Sequence, residues 1–324
     1  MNFDLDDEQR ALAAAGADFF ADQAGPTAAR QLLDGVGEPA PGRKALAEVG
    51  FSAITVPEAA GGGGGTVLDL AVVAEQAGRE LAGPSLAGTA RAVALLDADD
   101  AQLAVLASGT ELFAVVDGPE EPVLDALAAT RFLAVQDGHL VVGEGEVTAG
   151  VPIDATRGLG KVRLRDPRSL REIDPAAWRH ARDVGAVVLA AEGLGTAAKA
   201  VEAAVEYART RTAFDRTVGS YQAVKHALVD AWVGVDQLRS LVWWAAWTAD
   251  REPDGLPAAA SAVKAYSAAV VERATETALH VHGGIGFTWE HDSHLYWRRA
   301  KVDRLLLGDE TEHLLRVADL ALAT

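Results

Sequence analysis

Y-A-R-T-R-T-A-F-D-R-T-V-G-S-Y-Q-A-V-K-H-A-L-V-D, from Tyr207 to Asp230, is the stretch from which the rest of the chain is read. Before it, Val184, Val187, Val188, Ala191, Leu194, Ala198, Val201 and Val205 recur at three- and four-residue intervals. After it, Val224, Leu228, Trp232, Val235 and Leu238 do the same. Both patterns are those of long helices with an apolar face. Residues 211–219 are therefore a helix–helix connection, and Gly219 with Ser220 reads as its closing turn and N-cap. Arg209, Arg211, Arg216 and Phe214 fall at this break. Basic residues suit a helix C-terminus as solvated charges, and they equally suit a turn that holds an anion.

The whole chain narrows that choice. Its 324 residues exceed one typical domain. Formal net charge is -18, which disfavours nucleic acid and an anionic membrane surface as partners and leaves any phosphate to a local basic cluster. Cysteine is absent, so no thiolate chemistry is available. The acidic start M-N-F-D-L-D-D-E-Q lacks the pattern of a signal peptide, and a cytoplasmic protein is expected.

In chain order, the pattern predicts a first helix from Asp4–Asp7 to about Gln23, a Pro/Gly loop over 37–42 and a short helix ending near Gly50. Gly61 to Gly65 reads as a mobile loop, and it lacks the G-K-[ST] ending of a phosphate loop. Helices are expected over 67–81 and from Ser85 to about Leu106. From Glu111 the period changes: Leu112–Val116, Phe132–Val135, Leu140–Val142 and Lys161–Leu164 read as a small antiparallel sheet. From Pro175 the chain is helical, with long helices over 175–210, 219–250 and 256–282 and shorter ones from about Glu290 and Asp309. The fold class is mainly α with a small β domain. A helical part over 1–110, a sheet over 111–172 and a helical bundle over 173–324 follow.

Two further segments could carry chemistry. At the end of the third long helix, His280-Val281-His282-Gly283-Gly284-Ile285-Gly286-Phe287 lets a ligand approach the backbone; no third ligand is spaced for a metal. Leu307-Gly308-Asp309-Glu310-Thr311-Glu312-His313 offers an N-cap with acidic first-turn residues. Trp243, Trp244 and Trp247 read as packing residues on one helix.

Together these segments resemble the acyl-CoA dehydrogenase family. R-T-R-T-A-F-D-R-T-V-G-S-Y-Q is similar to its Arg-x-x-Phe-Gly segment with the Gln that follows, and L-H-V-H-G-G-I-G-F-T-W-E-H is similar to its Gly-Gly-x-Gly-Phe loop. I-T-V-P-E, E-Q-A-G-R-E-L-A-G-P and I-D-A-T-R extend the likeness over most of the chain. The resemblance implies an N-terminal helical domain, a β domain and a C-terminal four-helix bundle, with FAD as cofactor, an acyl-CoA thioester as substrate and an electron-transfer acceptor. It assigns Arg211, Phe214, Gln222, His280, Gly283 and Gly284 to the half of a flavin site that a chain lends to its neighbour, with His280 where Gln is usual.

The chain's own half departs from the family. No Thr-Glu-Pro-Gly-Ser segment occurs, and the two positions where members carry the carboxylate base fall on Leu307 and Gly185. Asp183, Glu192, Asp309 and Glu310 remain as displaced candidates. The implied reading is a subunit of a heterotetrameric, steroid side-chain type of acyl-CoA dehydrogenase, sharing FAD with a full-length partner that supplies the base. A self-sufficient homo-oligomeric enzyme with a relocated base and a flavin-free scaffold are the alternatives.

Overall fold

The computed structural model describes residues 4–322. Six helices come first: α1 Asp7–Gln23, α2 Pro26–Leu33, α3 Gly42–Glu48, α4 Val67–Arg79, α5 Leu86–Leu95 and α6 Ala101–Ala107. A sheet follows, with β1 Phe113–Val115, β2 Arg131–Gln136, β3 His139–Ala149 and β4 Gly160–Glu172. Then come α7 Pro175–Thr210, a two-strand hairpin of β5 Thr212–Ala213 and β6 Arg216–Thr217, α8 Gln222–Arg251, α9 Leu256–His282, α10 Ser293–Asp303 and α11 Glu310–Leu322.

The long helices lie where the periodicity put them, and the short elements differ for local reasons. Asp6 and Thr66 close capping boxes at the starts of α1 and α4, each satisfying backbone donors that a helix start leaves free. The expected helix over 85–106 is two helices, because Asp100 caps a new start at α6. α2, which begins at Pro26 after Gly25, was missed in the sequence; its eight residues are too few for a periodic signal. Ser220 does not cap α8. Tyr221 occupies that position without a side-chain capping bond, and the Ser220 hydroxyl donates to the Thr217 carbonyl at 2.6 Å.

The glycine run is not a mobile loop. Gly63, Gly64 and Gly65 donate to the carbonyls of Ala53, Val56 and Ile54 at 2.9, 2.9 and 2.7 Å, and a Cβ on Gly62 would collide with Val56. The backbone lies flat on 53–57, a packing that only glycine permits there.

The sheet is mixed rather than wholly antiparallel. β1 pairs parallel with β2, whereas β2–β3 and β3–β4 are antiparallel. Parallel pairing of neighbours needs a crossover, which residues 116–130 supply. One sheet face packs Phe113, Val115, Leu133, Leu140 and Val142 against α5 and α6. The other carries Ala114, Val116, Phe132, Ala134 and Val162.

α7 is the axis of the molecule. It contacts α4, α5, α8 and α9, so it needs apolar residues around its circumference rather than a stripe. A window of it is long and apolar enough to cross a membrane, but 94% of that window is buried inside the protein, as a core helix requires. Trp243 and Trp244 of α8 pack against the same core.

A buried ionic junction joins the helices to the sheet. Arg157, 0% exposed, pairs with Asp303 at 2.8 and 2.5 Å and with Glu192. Glu192 accepts from the Ser85 hydroxyl at 2.9 Å and from the Leu86 N–H at 2.8 Å, and Ser85 N–H donates to Asp125 at 3.1 Å. Arg299 pairs with Asp154 at 2.7 Å. Every charge here has an opposite partner or a backbone donor, the condition for tolerating charge in a core.

Candidate functional site

The three arginines at the α7–α8 break have different fates. Arg216 lies over the Tyr221 ring at 3.7 Å, while the Tyr221 hydroxyl donates to Ala213 O at 3.1 Å; both residues serve the hairpin. Arg209 sits 4.0 Å from Glu206, one helical turn back. Arg211 is exposed and, among the described residues, has no carboxylate within ion-pair distance. Its backbone N–H closes α7 on Tyr207 O at 2.8 Å, so the backbone is fixed while the guanidinium is free.

Phe214 is 91% exposed at the tip of the hairpin, with φ 52°, and Asp215 follows with φ 61°. A two-residue hairpin loop needs positive φ at both positions, which glycine and asparagine adopt easily and phenylalanine does not. Neither burial nor local backbone preference accounts for an aromatic ring here. Gly219 is explained by packing: a Cβ would sit 2.8 Å from Ala208 O.

Gln222 opens α8, 3.5 Å from His226, and is exposed. Because α8 and α9 pack along their lengths and are joined by the short connection 252–255, the start of α8 and the end of α9 share one end of the bundle. His280 is exposed there. Gly283, with φ 66°, and Gly284 follow it, and a Cβ on either would meet nothing within 4 Å. The fold thus collects Arg211, Phe214, Gln222, His280, Gly283 and Gly284 at one open, solvent-facing surface. A free guanidinium, an amide and uncovered glycine backbone suit a phosphate-bearing ligand.

The residues at the two base positions meet elsewhere. A Cβ on Gly185 would lie 3.3 Å from Leu307 Cδ1 and would overlap the Arg91 stem, 2.6 Å from its Cδ. Arg91 is 4% exposed and pairs with Asp117 at 2.8 and 2.6 Å. It fills the space beside Gly185, leaving a cavity of about 320 Å³ bounded also by Arg182, Leu307, Asp309 and Glu312. Sequence reading missed Arg91 and Asp117. The available signal was Gly185, a glycine inside a long helix, which marks a close approach.

The displaced carboxylates are all engaged. Asp183 pairs with Arg316, one contact being 2.7 Å; Glu192 lies in the ionic junction at 2% exposure. Asp309 accepts from Glu312 N at 2.9 Å as a helix cap, and Glu310 lies 3.9 Å from Arg304. The turn bearing Leu307 is pinned by Lys264, which donates to Gly308 O at 3.1 Å, and by His313 at 2.9 Å from Leu307 O. Burial pulls the Lys264 ammonium down to about 8 and holds His313 below the usual histidine range. Leu307 itself carries no group that can take a proton from a ligand, and Asp309 and Glu312 are the carboxylates of this turn that border the cavity.

The chain is similar to known proteins over most of its length. Residues 6–99 match the acyl-CoA dehydrogenase N-terminal domain and residues 178–322 the C-terminal domain. The acyl-CoA dehydrogenase IpdE2 of Mycobacterium tuberculosis is 33% identical, over 96% of this chain and 96% of its own. A variant of the Tcur3481-Tcur3483 steroid ACAD superposes with a TM-score of 0.83 at 25% identity, covering 98% of each chain. The ChsE4-ChsE5 complex from Mycobacterium tuberculosis gives a TM-score of 0.88 at 24% identity, covering all of both chains.

Proposed function

The chain belongs to the acyl-CoA dehydrogenase family, and on that premise we propose that it is the non-catalytic subunit of a heteromeric enzyme, lending one side of a flavin site to a full-length partner. When bound, flavin supplies the hydride acceptor for α,β-desaturation of a CoA thioester. This chain's part is to hold: Arg211 on the pyrophosphate, Phe214 and Gln222 beside it, and the Gly283–Gly284 backbone against the nucleotide with His280.

One observation carries the reading. Gly185 lies in the third turn of α7 and Arg211 at its C-cap, roughly 39 Å apart at the helical rise per residue, a span no ribityl linker bridges. The anion-facing surface therefore serves a reaction outside this chain's own Gly185–Leu307 pocket. That pocket in turn has no ionisable group at either base position, and Arg91 takes up the space beside Gly185. A relocated base is disfavoured at Asp183 and Glu192, whose buried carboxylates are held in ion pairs. The steroid character of the substrate rests on the likeness to the Tcur3481-Tcur3483 steroid ACAD.

Co-expression with a full-length homologue, followed by absorbance spectroscopy and flavin quantitation, tests the proposal. One flavin per pair of unlike chains is expected, and Arg211→Ala in this chain should lower flavin retention. Two flavins per pair, or a flavin-loaded homodimer, would overturn it.

A further inference from the structure

The six residues of the exposed surface come from two segments with no hydrogen bond between their side chains. Arg211 and Phe214 lie on the α7–α8 connection and Gln222 at the start of α8; His280, Gly283 and Gly284 lie at the end of α9. A nucleotide held by both would need them at a fixed separation. Helix packing alone sets that loosely, because Arg211 is already at a helix cap and 283–293 is an irregular turn.

Three rings lie where the segments meet. Tyr207 of α7 sits on His282, centroids 4.6 Å apart, and His282 sits on His291 at 4.3 Å. Tyr207 is the residue whose carbonyl accepts the Arg211 N–H. His282 is the residue immediately before Gly283, and its Cβ lies 3.0 Å from where a Cβ on Gly286 would be. His282 is 5% exposed, and its orientation is fixed: Nδ1 lies 2.7 Å from Ala278 O and therefore carries the proton. Ser293 Oγ stands 3.2 Å from that nitrogen and 2.7 Å from His291 Nδ1, which the Ser293 N–H also approaches at 3.1 Å. His291 Nδ1 is thus the acceptor of two donors and anchors the far end of the turn. Arg30 of α2 holds the same turn from outside through Trp289 O and Asp292.

We propose that the Tyr207–His282–His291 stack is the positioning element of the lent flavin surface, setting the distance between Arg211 and the Gly283–Gly284 backbone. This rests on the reading of that surface as one side of a flavin site. The stack acts through Arg211 and the glycines, so none of its rings is a contact residue. Its aromatic contacts order one segment against the other with a preferred spacing and tilt.

Hydrogen exchange on the isolated chain, read by mass spectrometry, tests the coupling without any cofactor. Tyr207→Ala should speed exchange across 283–293, a segment remote in sequence, and His282→Ala should speed it across 208–218. Tyr207→Phe, which keeps the ring, should behave as wild type. If each substitution loosens only its own segment, the positioning role is overturned.

In the complex with a full-length partner, Tyr207→Ala should weaken flavin binding by about three- to tenfold, the worth of one aromatic contact, and Tyr207→Phe should restore it. Weakening by Arg211→Ala but not by Tyr207→Ala would overturn the positioning role. Coupled exchange, with flavin binding indifferent to both alanine variants, would support the stack and instead sink the flavin assignment.

Discussion

At Phe214, an exposed phenylalanine holds a left-handed backbone conformation at a hairpin tip. That conformation costs an ordinary L-residue about 1–2 kcal/mol and costs asparagine less. Phe214→Asn should therefore stabilise the isolated chain by about 0.5–1 kcal/mol, measurable as a raised urea midpoint, while flavin retention in the complex falls. A lowered midpoint would instead mean that the ring packs within the chain. The same residue shows how far sequence reading reaches. The motif marked Phe214 and its arginines together, yet only side-chain geometry separates Arg211, which has no ion pair among the described residues, from Arg209 beside Glu206 and Arg216 over Tyr221. Spacing along a chain does not say which neighbour a flexible cation reaches.

Among the elements, the α4–α7 crossing depends on two glycines. A Cβ on Gly78 would strike Glu192 O, and one on Gly195 would strike Glu75 O; the Thr196 hydroxyl adds a bond to Gly78 O at 3.1 Å. Here backbone meets backbone, so no side chain can swing aside. Gly78→Ala or Gly195→Ala should cost about 2–3 kcal/mol or more despite alanine's better helix propensity, read as a lowered midpoint in thermal or urea unfolding. Gly284→Ala, facing open space, is the control and should leave stability within about 0.5 kcal/mol. Long helices were legible because apolar residues recur at three- and four-residue intervals over many turns. The parallel β1–β2 pairing and the packed Gly61–Gly65 run were not, since alternation does not encode strand direction and a glycine run reads alike whether packed or free.

Across the whole molecule, the ionic junction ties α5, α7 and α10 to the loops that connect the strands of the sheet and adds a pH dependence. Burial drives the Asp125 carboxyl up to about 7, against its bonds from Ser85 and the attraction of Arg157. In the unfolded chain it titrates near 3.8, so between these limits the folded state binds the extra proton. The stability it contributes is full below pH 4 and is lost as pH rises through 7. Asp125→Asn keeps an acceptor for Ser85 N–H and does not ionise. The variant should gain on wild type between pH 5 and 7, by at most about 1.4 kcal/mol per pH unit, and the gain should level off above pH 7. Urea unfolding at several pH values measures it, and a pH-independent difference would show that Asp125 stays charged throughout.

The sequence by itself determined the long helices, the place of the sheet, the family likeness and the absence of a carboxylate at Leu307 and Gly185, because these are properties of residue type and spacing. The tertiary structure alone decided two other matters. It brought Gly185 and Leu307 together against Arg91, and it joined Tyr207 to His282 across two helices. Each is a relation between segments remote in the chain, fixed by packing distances that no local pattern of residues records.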